Sequence, residues 1–248
     1  MLDEFLRPIN GAEVTVAGMK TNTDADGRFY VTAARAQRLA ARASIIGYHA
    51  HTVAFMPTAA DTQFVYVHLA KNITTHKLPA DTGGTISQGG FWLTLTPNSV
   101  VTEDGKPYLG EIQLSVVARR PGDRDFAQRM PGGDFMAVDK NGEDKVLYSY
   151  GFTGVEMTTA DGKPLNMAPD SVATIEFLIT EDQRPGAPDE MPLWHFDEEK
   201  GLWVEAGVVR KEGLTYRAEV GHFSWWNYDL PYPPAYVEGN VVDCKGEP

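Results

Sequence analysis

Short stretches in which apolar and polar residues alternate, punctuated by Gly, Pro, Asn and Asp, recur along most of this chain. A side-chain period of two marks a strand with one buried face, so each stretch predicts a β-strand. The run Glu13-Val14-Thr15-Val16 and the run Arg28-Phe29-Tyr30-Val31 flank Asp26-Gly27, which predicts a hairpin. Residues 33–43 are rich in Ala and Arg, a helix-favouring composition. Yet Leu39, Ala41, Ala43 and Ile45 keep the period of two, so a strand is expected from about residue 39, after a loop. Further strands are predicted at 89–95, 110–117 and 173–179. A compact hairpin is predicted where Leu193-Trp194-His195-Phe196-Asp197 is followed by Gly201-Leu202-Trp203-Val204-Glu205.

Helix-forming content is thin, while 24 Gly and 16 Pro fall between these runs, so the chain reads as all-β. At 248 residues it is long enough for two modules with cores of their own. Pro79 and Gly83-Gly84 mark a linker over 71–84. The reading is two β-sandwich modules in tandem, over 1–70 and 85–235, followed by a terminal segment 236–248.

Charge removes several functions. Lys and Arg number 22 against 34 Asp and Glu, a formal net charge of −12, which argues against nucleic acid held through phosphates and against anionic membrane surfaces. No apolar run reaches the roughly 20 residues of a membrane span, and Met1-Leu2-Asp3-Glu4-Phe5 lacks the basic and apolar regions of a signal peptide. The single cysteine, Cys244, excludes an internal disulfide framework and a Cys-based zinc site. No paired carboxylates, metal cluster or phosphate loop stands out, so an ordinary enzyme is not expected, nor any cofactor.

Four patterns bear on chemistry. Asn22, Asp24, Asp26 and Gly27 mimic the start of a calcium loop, but the twelfth position is Ala33 where a bidentate Glu belongs, so a plain turn is expected. His49 and His51 share a strand face at a chelating spacing, with His68 and His76 as candidate third ligands; edge residues without a metal are the alternative. Trp194 and Trp203 could stack a sugar or pack into the core. Finally, Val220, His222 and Ser224 alternate with Gly221, Phe223 and Trp225, so in a strand an imidazole and a hydroxyl stand side by side.

Three resemblances follow. Pro-Ile-x-Gly-Ala-x-Val from Pro8, then Thr-x-x-Asp-Gly-x-Phe from Thr23, then Gly47-Tyr48, resembles the carboxypeptidase regulatory-like domain over residues 3–70. That implies a transthyretin-like sandwich without catalysis. Residues 85–235 are similar to the domain that follows such modules in bacterial surface proteins and in the cartilage intermediate layer protein family. The likeness rests on Met130-Pro131-Gly132, on Leu-Trp-x-Phe-Asp-x-x-x-Gly-x-Trp-x-Glu from Leu193, and on the residues from His222 to Asp229. It implies an extracellular, cell-surface or periplasmic β module. His222-Phe223-Ser224 also resembles the self-cleavage site of GAIN and FIIND-type domains. This implies attack by Ser224 on the Phe223 carbonyl, with His222 as base, in a strained peptide.

The two ends of the chain echo each other. Asp243 precedes Pro248 by five positions, as Asp3 precedes Pro8. The regulatory-like family opens with a strand of the form Gly-x-Val-x-Asp, which here stands at Gly239-Asn240-Val241-Val242-Asp243. The first sandwich is therefore expected to lack its own first strand. Either the chain is cut from a tandem array, or residues 236–242 are exchanged with a neighbouring copy as an added strand. Leu6 stands where the family has Gly, which leaves the tightness of the first turn open.

The expected function is thus a structural or binding module without enzymatic activity. Self-cleavage at Phe223–Ser224 is one alternative, and glycan or protein binding through exposed aromatics is another.

Overall fold

The computed structural model describes residues 1–34, 36–58, 62–73, 75–235 and 243–245. The chain is nearly all β, as its periodicity requires. A small antiparallel sheet contains β1 (Glu13–Val16), β2 (Met19–Asn22), β3 (Leu39–Ser44) and β4 (His51–Phe55), in the order β2-β1-β3-β4. Val14, Val16, Ala41 and Ala43 point to one face and are buried there, with Val67 and Leu69 closing the core from the other side.

β3 starts at Leu39, so the period of two outweighed the helix propensity of the Ala and Arg residues. The hairpin falls elsewhere than predicted. It joins β1 to β2 through Ala17-Gly18, both at positive φ, whereas Asp26-Gly27 turns the chain into an extended segment outside the ladder. Asp24 accepts the amides of Asp26 and Arg28 there, so its carboxylate closes a turn.

Among the described residues the large sheet has eleven strands. Its members are β5 (His76–Pro79), β6 (Gly84–Gln88), β7 (Phe91–Leu95), β9 (Glu111–Arg119), β10 (Met136–Val138), β11 (Asp144–Thr158), β13 (Ala173–Leu178), β14 (Glu190–Asp197), β15 (Leu202–Glu212), β16 (Thr215–Val220) and β17 (Trp225–Tyr232). Two short strands, β8 (Val100–Thr102) and β12 (Leu165–Met167), pair with each other, and one helical turn, α1, spans Phe126–Arg129. The order runs β5-β9-β11-β17-β14-β15-β16-β13-β7-β6, with β10 alongside β11 and β15. Residues 76–79, inside the stretch expected as linker, therefore form an edge strand on β9.

The sheet folds over on itself. His76 reaches the Ser87 carbonyl and Gln88 donates to the Val116 carbonyl, tying the β5–β9 edge to β6. One core fills the space between the two layers, drawing Leu93 from β7, Leu114 from β9, Ile175 from β13 and Tyr216 from β16. A second, smaller core of Met130, Leu147, Phe152, Trp194, Phe196 and Trp203 lies beneath residues 126–137. Because β11 is covered on both faces, its middle stretch, 150–155, is buried without alternation.

The two sheets meet along β4. Gly132 accepts from the Ala54 amide at 3.0 Å and donates to the Thr52 carbonyl at 2.8 Å, a parallel bridge beside Val53. Residues 236–242, expected as a terminal strand, lie outside the described residues.

Candidate functional site

β16 ends at Val220, β17 begins at Trp225, and residues 221–224 bend between them. The expected run of strand through 220–224 is therefore broken, and Val220, His222 and Ser224 share no strand face. The cause is topological. β16 pairs with β13 and β15, whereas β17 pairs with β11 and β14, so the chain must cross from one layer to the other within four residues.

His222 is exposed on one side and lies against Trp226 on the other, with ring centroids 4.9 Å apart. His195 meets it edge-on at 5.7 Å. Burial against these rings lowers the His222 pKa, and a hydrogen bond to the Phe223 main chain opposes that shift. Burial also lowers the His195 pKa, and repulsion from His222 adds to it. The Ser224 hydroxyl donates to the Trp225 carbonyl at 3.4 Å, and among the described residues no hydrogen bond joins it to His222. Phe223 is partly buried against the large core. The structure thus brings His222, Phe223 and Ser224 together at a bend and adds His195. Sequence reasoning places His195 in its hairpin and no further, although its position between Trp194 and Phe196, both in the smaller core, points it the other way.

Trp194 and Trp203 are buried at 0% and 1% exposure, so their use is core packing and they form no sugar platform. Trp226 is buried too, and Trp92 and Trp225 are half-buried. One exposed aromatic ring, Tyr148, lies beside β11. Tyr148, Tyr150, Phe126, Phe135 and Pro121 line an open groove of about 470 Å³. Several of its polar groups are already engaged: Gln183 donates to the Tyr150 carbonyl, the Tyr150 hydroxyl to the Gly186 carbonyl, and Asp134 is held by Arg38.

The densest polar network lies where the sheets meet. Arg38 grips Asp134 with both terminal nitrogens and also donates to the Gly201 carbonyl at 2.6 Å. Arg42 pairs with Glu198. One ring nitrogen of His49 lies 3.2 Å from Glu156 and the other 2.9 Å from the Ser115 hydroxyl, while Asn72 donates to the same Glu156. With both nitrogens engaged, His49 has no lone pair left for a metal. His51 is buried, and its neighbours Arg129 and His68 disfavour a second positive charge. His76 is engaged with Thr75 and Ser87. Among the described residues, no three metal-ligating side chains cluster.

Met130-Pro131-Gly132 and Gly201 sit at this junction, and both belong to the motifs that carried the sequence resemblance. This chain is similar to cartilage intermediate layer protein 2. It is 31% identical to the human protein over 124 residues, half of this chain and 10% of that protein. It is 30% identical to the mouse protein over 146 residues, 55% of this chain and 12% of that one. The chain therefore spans about a tenth of the length of these relatives. No protein-family model matches it, and no solved structure matches it at a significant level.

The junction gives physical reasons for the glycines of the two motifs on which the sequence resemblance rests. Gly132 has φ +82°, and a Cβ there would stand 3.0 Å from the Phe196 ring. Gly201 has φ +65°, and a Cβ would stand 2.8 Å from that of Ala40 in β3. Only Gly meets both demands, a left-handed backbone and close approach.

Proposed function

We propose that the chain is a non-enzymatic structural module of a longer extracellular or cell-surface protein, in which the two sheets act as one stiff unit. The observation that carries this reading is the junction: paired backbone at Gly132, and side-chain bonds from Arg38, Arg42, His49 and Asn72 that reach across it. Backbone pairing and charge-assisted side-chain bonds across the junction oppose relative motion of the two sheets, which is what a spacer or load-bearing element requires. The resemblance to cartilage intermediate layer protein 2, whose name places it in a tissue layer, supports an extracellular setting. Among the described residues no helix is long and apolar enough to cross a membrane.

The test is calorimetric unfolding of the whole chain. One cooperative transition is expected, splitting in two in Arg38→Ala combined with Ser115→Ala. Two separate transitions in the unaltered protein would overturn the reading.

Self-cleavage between Phe223 and Ser224 is a second reading, favoured by two features. The bond lies in a bend where the His222 ring interacts with the Phe223 main chain. The strand that would be released, β17, is hydrogen-bonded on both sides, to β11 and β14, and would stay in place after cleavage. The Ser224 hydroxyl, now turned to Trp225, would have to swing toward the Phe223 carbonyl. Intact mass under denaturing conditions, compared with Ser224→Ala, decides it: fragments absent from the variant support cleavage, and a single stable species at 27.3 kDa removes it.

A further inference from the structure

β11 has a gap along one side. β9 pairs with it as far as Arg119, opposite Phe152, and β10 pairs with it from Met136, opposite Val146. Both run antiparallel to β11, so together they form one interrupted strand that leaves the ladder over residues 120–135 and then rejoins it. The Leu147 amide closes one end of the gap by donating to the Phe135 carbonyl. Main-chain groups of alternate residues point to the same side of a strand, so the Ser149 amide and carbonyl face that side too. Among the described residues no strand lies against them there. On the opposite side β17 holds residues 146–149 in place.

The gap is the floor of the open groove. Ser149 lies in its lining between Tyr148 and Tyr150, and Phe126 and Phe135 from the 120–135 excursion form a wall. Gln183 takes up one main-chain position there by donating to the Tyr150 carbonyl. At roughly 3.3 Å per residue, the gap takes about four residues of extended chain. Both charged side chains that line the groove are carboxylates, Asp134 and Asp182. Arg38 already matches Asp134. The Thr180 hydroxyl beside Asp182 holds its carboxyl below the usual carboxylate range, so it is charged at neutral pH, and Arg120 acts on it without lining the groove. Tyr148, 64% exposed, offers a ring that a cation can cover. The formal net charge of −12 adds a field that attracts basic partners.

We propose that this gap is a strand-acceptor site for another protein, and that its occupant is an extended basic segment in which Lys or Arg alternates with apolar residues. The main chain of that segment pairs with Ser149 and completes the ladder between β9 and β10. Its apolar side chains pack against Phe126 and Phe135, and its cations meet Asp182 and Tyr148. A sugar could stack on Tyr148, but an amide and a carbonyl at strand spacing match a peptide main chain. The site adds a binding surface to the module and does not depend on the stiffness of the junction.

The experiment titrates the isotopically labelled full chain with the blocked peptide acetyl-Val-Lys-Val-Lys-Val-Lys-Val-amide and follows amide NMR shifts. Saturable shifts are expected at residues 147–151. The counterpart with Glu in place of Lys, and the Lys peptide N-methylated along one edge, are expected not to bind. Asp182→Asn and Tyr148→Ala, both changes of exposed side chains, should each weaken the Lys peptide about twofold to fivefold. The absence of saturable shifts at 147–151, or an affinity that N-methylation and Asp182→Asn leave unchanged, would overturn the proposal. Saturation of the groove by chitotriose and not by the Lys peptide would overturn it as well, and would make the groove a glycan site.

Discussion

The Asp229 carboxylate accepts the Tyr150 amide at 2.8 Å, inside a bulge where Tyr150 and Gly151 of β11 face the single residue Tyr228 of β17. A bulge leaves ladder groups unpaired, and here a buried side chain takes them up. Burial raises the Asp229 pKa from 3.8 to about 7, outweighing the hydrogen bonds it accepts from the Tyr150 and Gly151 amides.

The pH dependence follows from that shift. Between about pH 4 and pH 7 the unfolded chain has released this proton and the folded chain still holds it, so stability falls as pH rises. The contribution is fully present below about pH 4, and a shift of this size corresponds to roughly 4 kcal/mol lost by about pH 7 and above. Asp229→Asn keeps an acceptor for Tyr150 and cannot ionise. Urea midpoints measured at about pH 4, 5.5 and 7.5 should therefore show the variant gaining on the unaltered protein as pH rises.

His51 acts in the opposite direction. It is buried where the sheets meet, and its pKa is lowered from 6.5 to about 4 by burial, then by the charges of Arg129 and His68. Below about pH 6.5 the unfolded chain takes up a proton that the folded chain refuses, so stability falls as pH drops toward 4. The loss is roughly 3 kcal/mol. The groups facing His51 are Arg129 on α1 and His68, whose own pKa is lowered by burial, so protonating His51 would set a buried charge beside the Arg129 guanidinium. The two windows overlap with opposite slopes, so His51→Gln should leave the Asp229 slope uncompensated, and urea midpoints should fall more steeply between about pH 4 and pH 6.5 than in the unaltered protein.

Much of this fold is legible in the sequence because burial on one face writes a period of two. Leu39, Ala41 and Ala43 mark the start of β3 against their own helix propensity, and Phe91, Leu93 and Leu95 mark β7. The pattern fails where that condition fails. Residues 29–33 alternate as a strand does, which points to a hairpin with β1 that does not form; alternation reports a buried face and not a ladder partner. The run from Val220 to Trp225 also alternates, yet it crosses between layers, and no local signal distinguishes a crossing from a strand. The junction is hidden for another reason. His49, Ser115 and Glu156 are 107 positions apart at the extremes, and long-range polar pairing leaves no periodic trace.

Trp225 lies across Gly154, its cross-strand partner in β17 and β11. A Cβ on Gly154 would stand 2.7 Å from the indole ring, and the ring has little room to yield because Phe152 and His49 flank it at 5.9 and 6.4 Å. Gly154→Ala should therefore cost about 2 kcal/mol by overpacking. Trp225→Leu combined with Gly154→Ala should lose less than the sum of the single changes, and a double-mutant cycle on urea midpoints measures that coupling.

Leu6 offers a gain in stability. Its φ is +61° and its side chain is 68% exposed, so an L-residue carries left-handed backbone without burying surface in return. The loop around it is fixed by other groups: Asp3 accepts the Phe5 and Arg7 amides, and the Leu6 amide donates to the Asp3 carbonyl. The left-handed conformation costs a non-Gly residue about 1–2 kcal/mol. Glycine removes that strain and gives back about 0.5–1 kcal/mol through the greater freedom of the unfolded chain. Leu6→Gly should thus stabilise by roughly 0.5–1 kcal/mol, an upward shift in Tm of about 1–4 °C for a chain of this length. Leu6→Ala separates the two effects. It trims the exposed side chain but keeps the strain, so it should leave Tm unchanged, and a rise equal to that of Leu6→Gly would locate the gain in the lost apolar surface instead of the backbone.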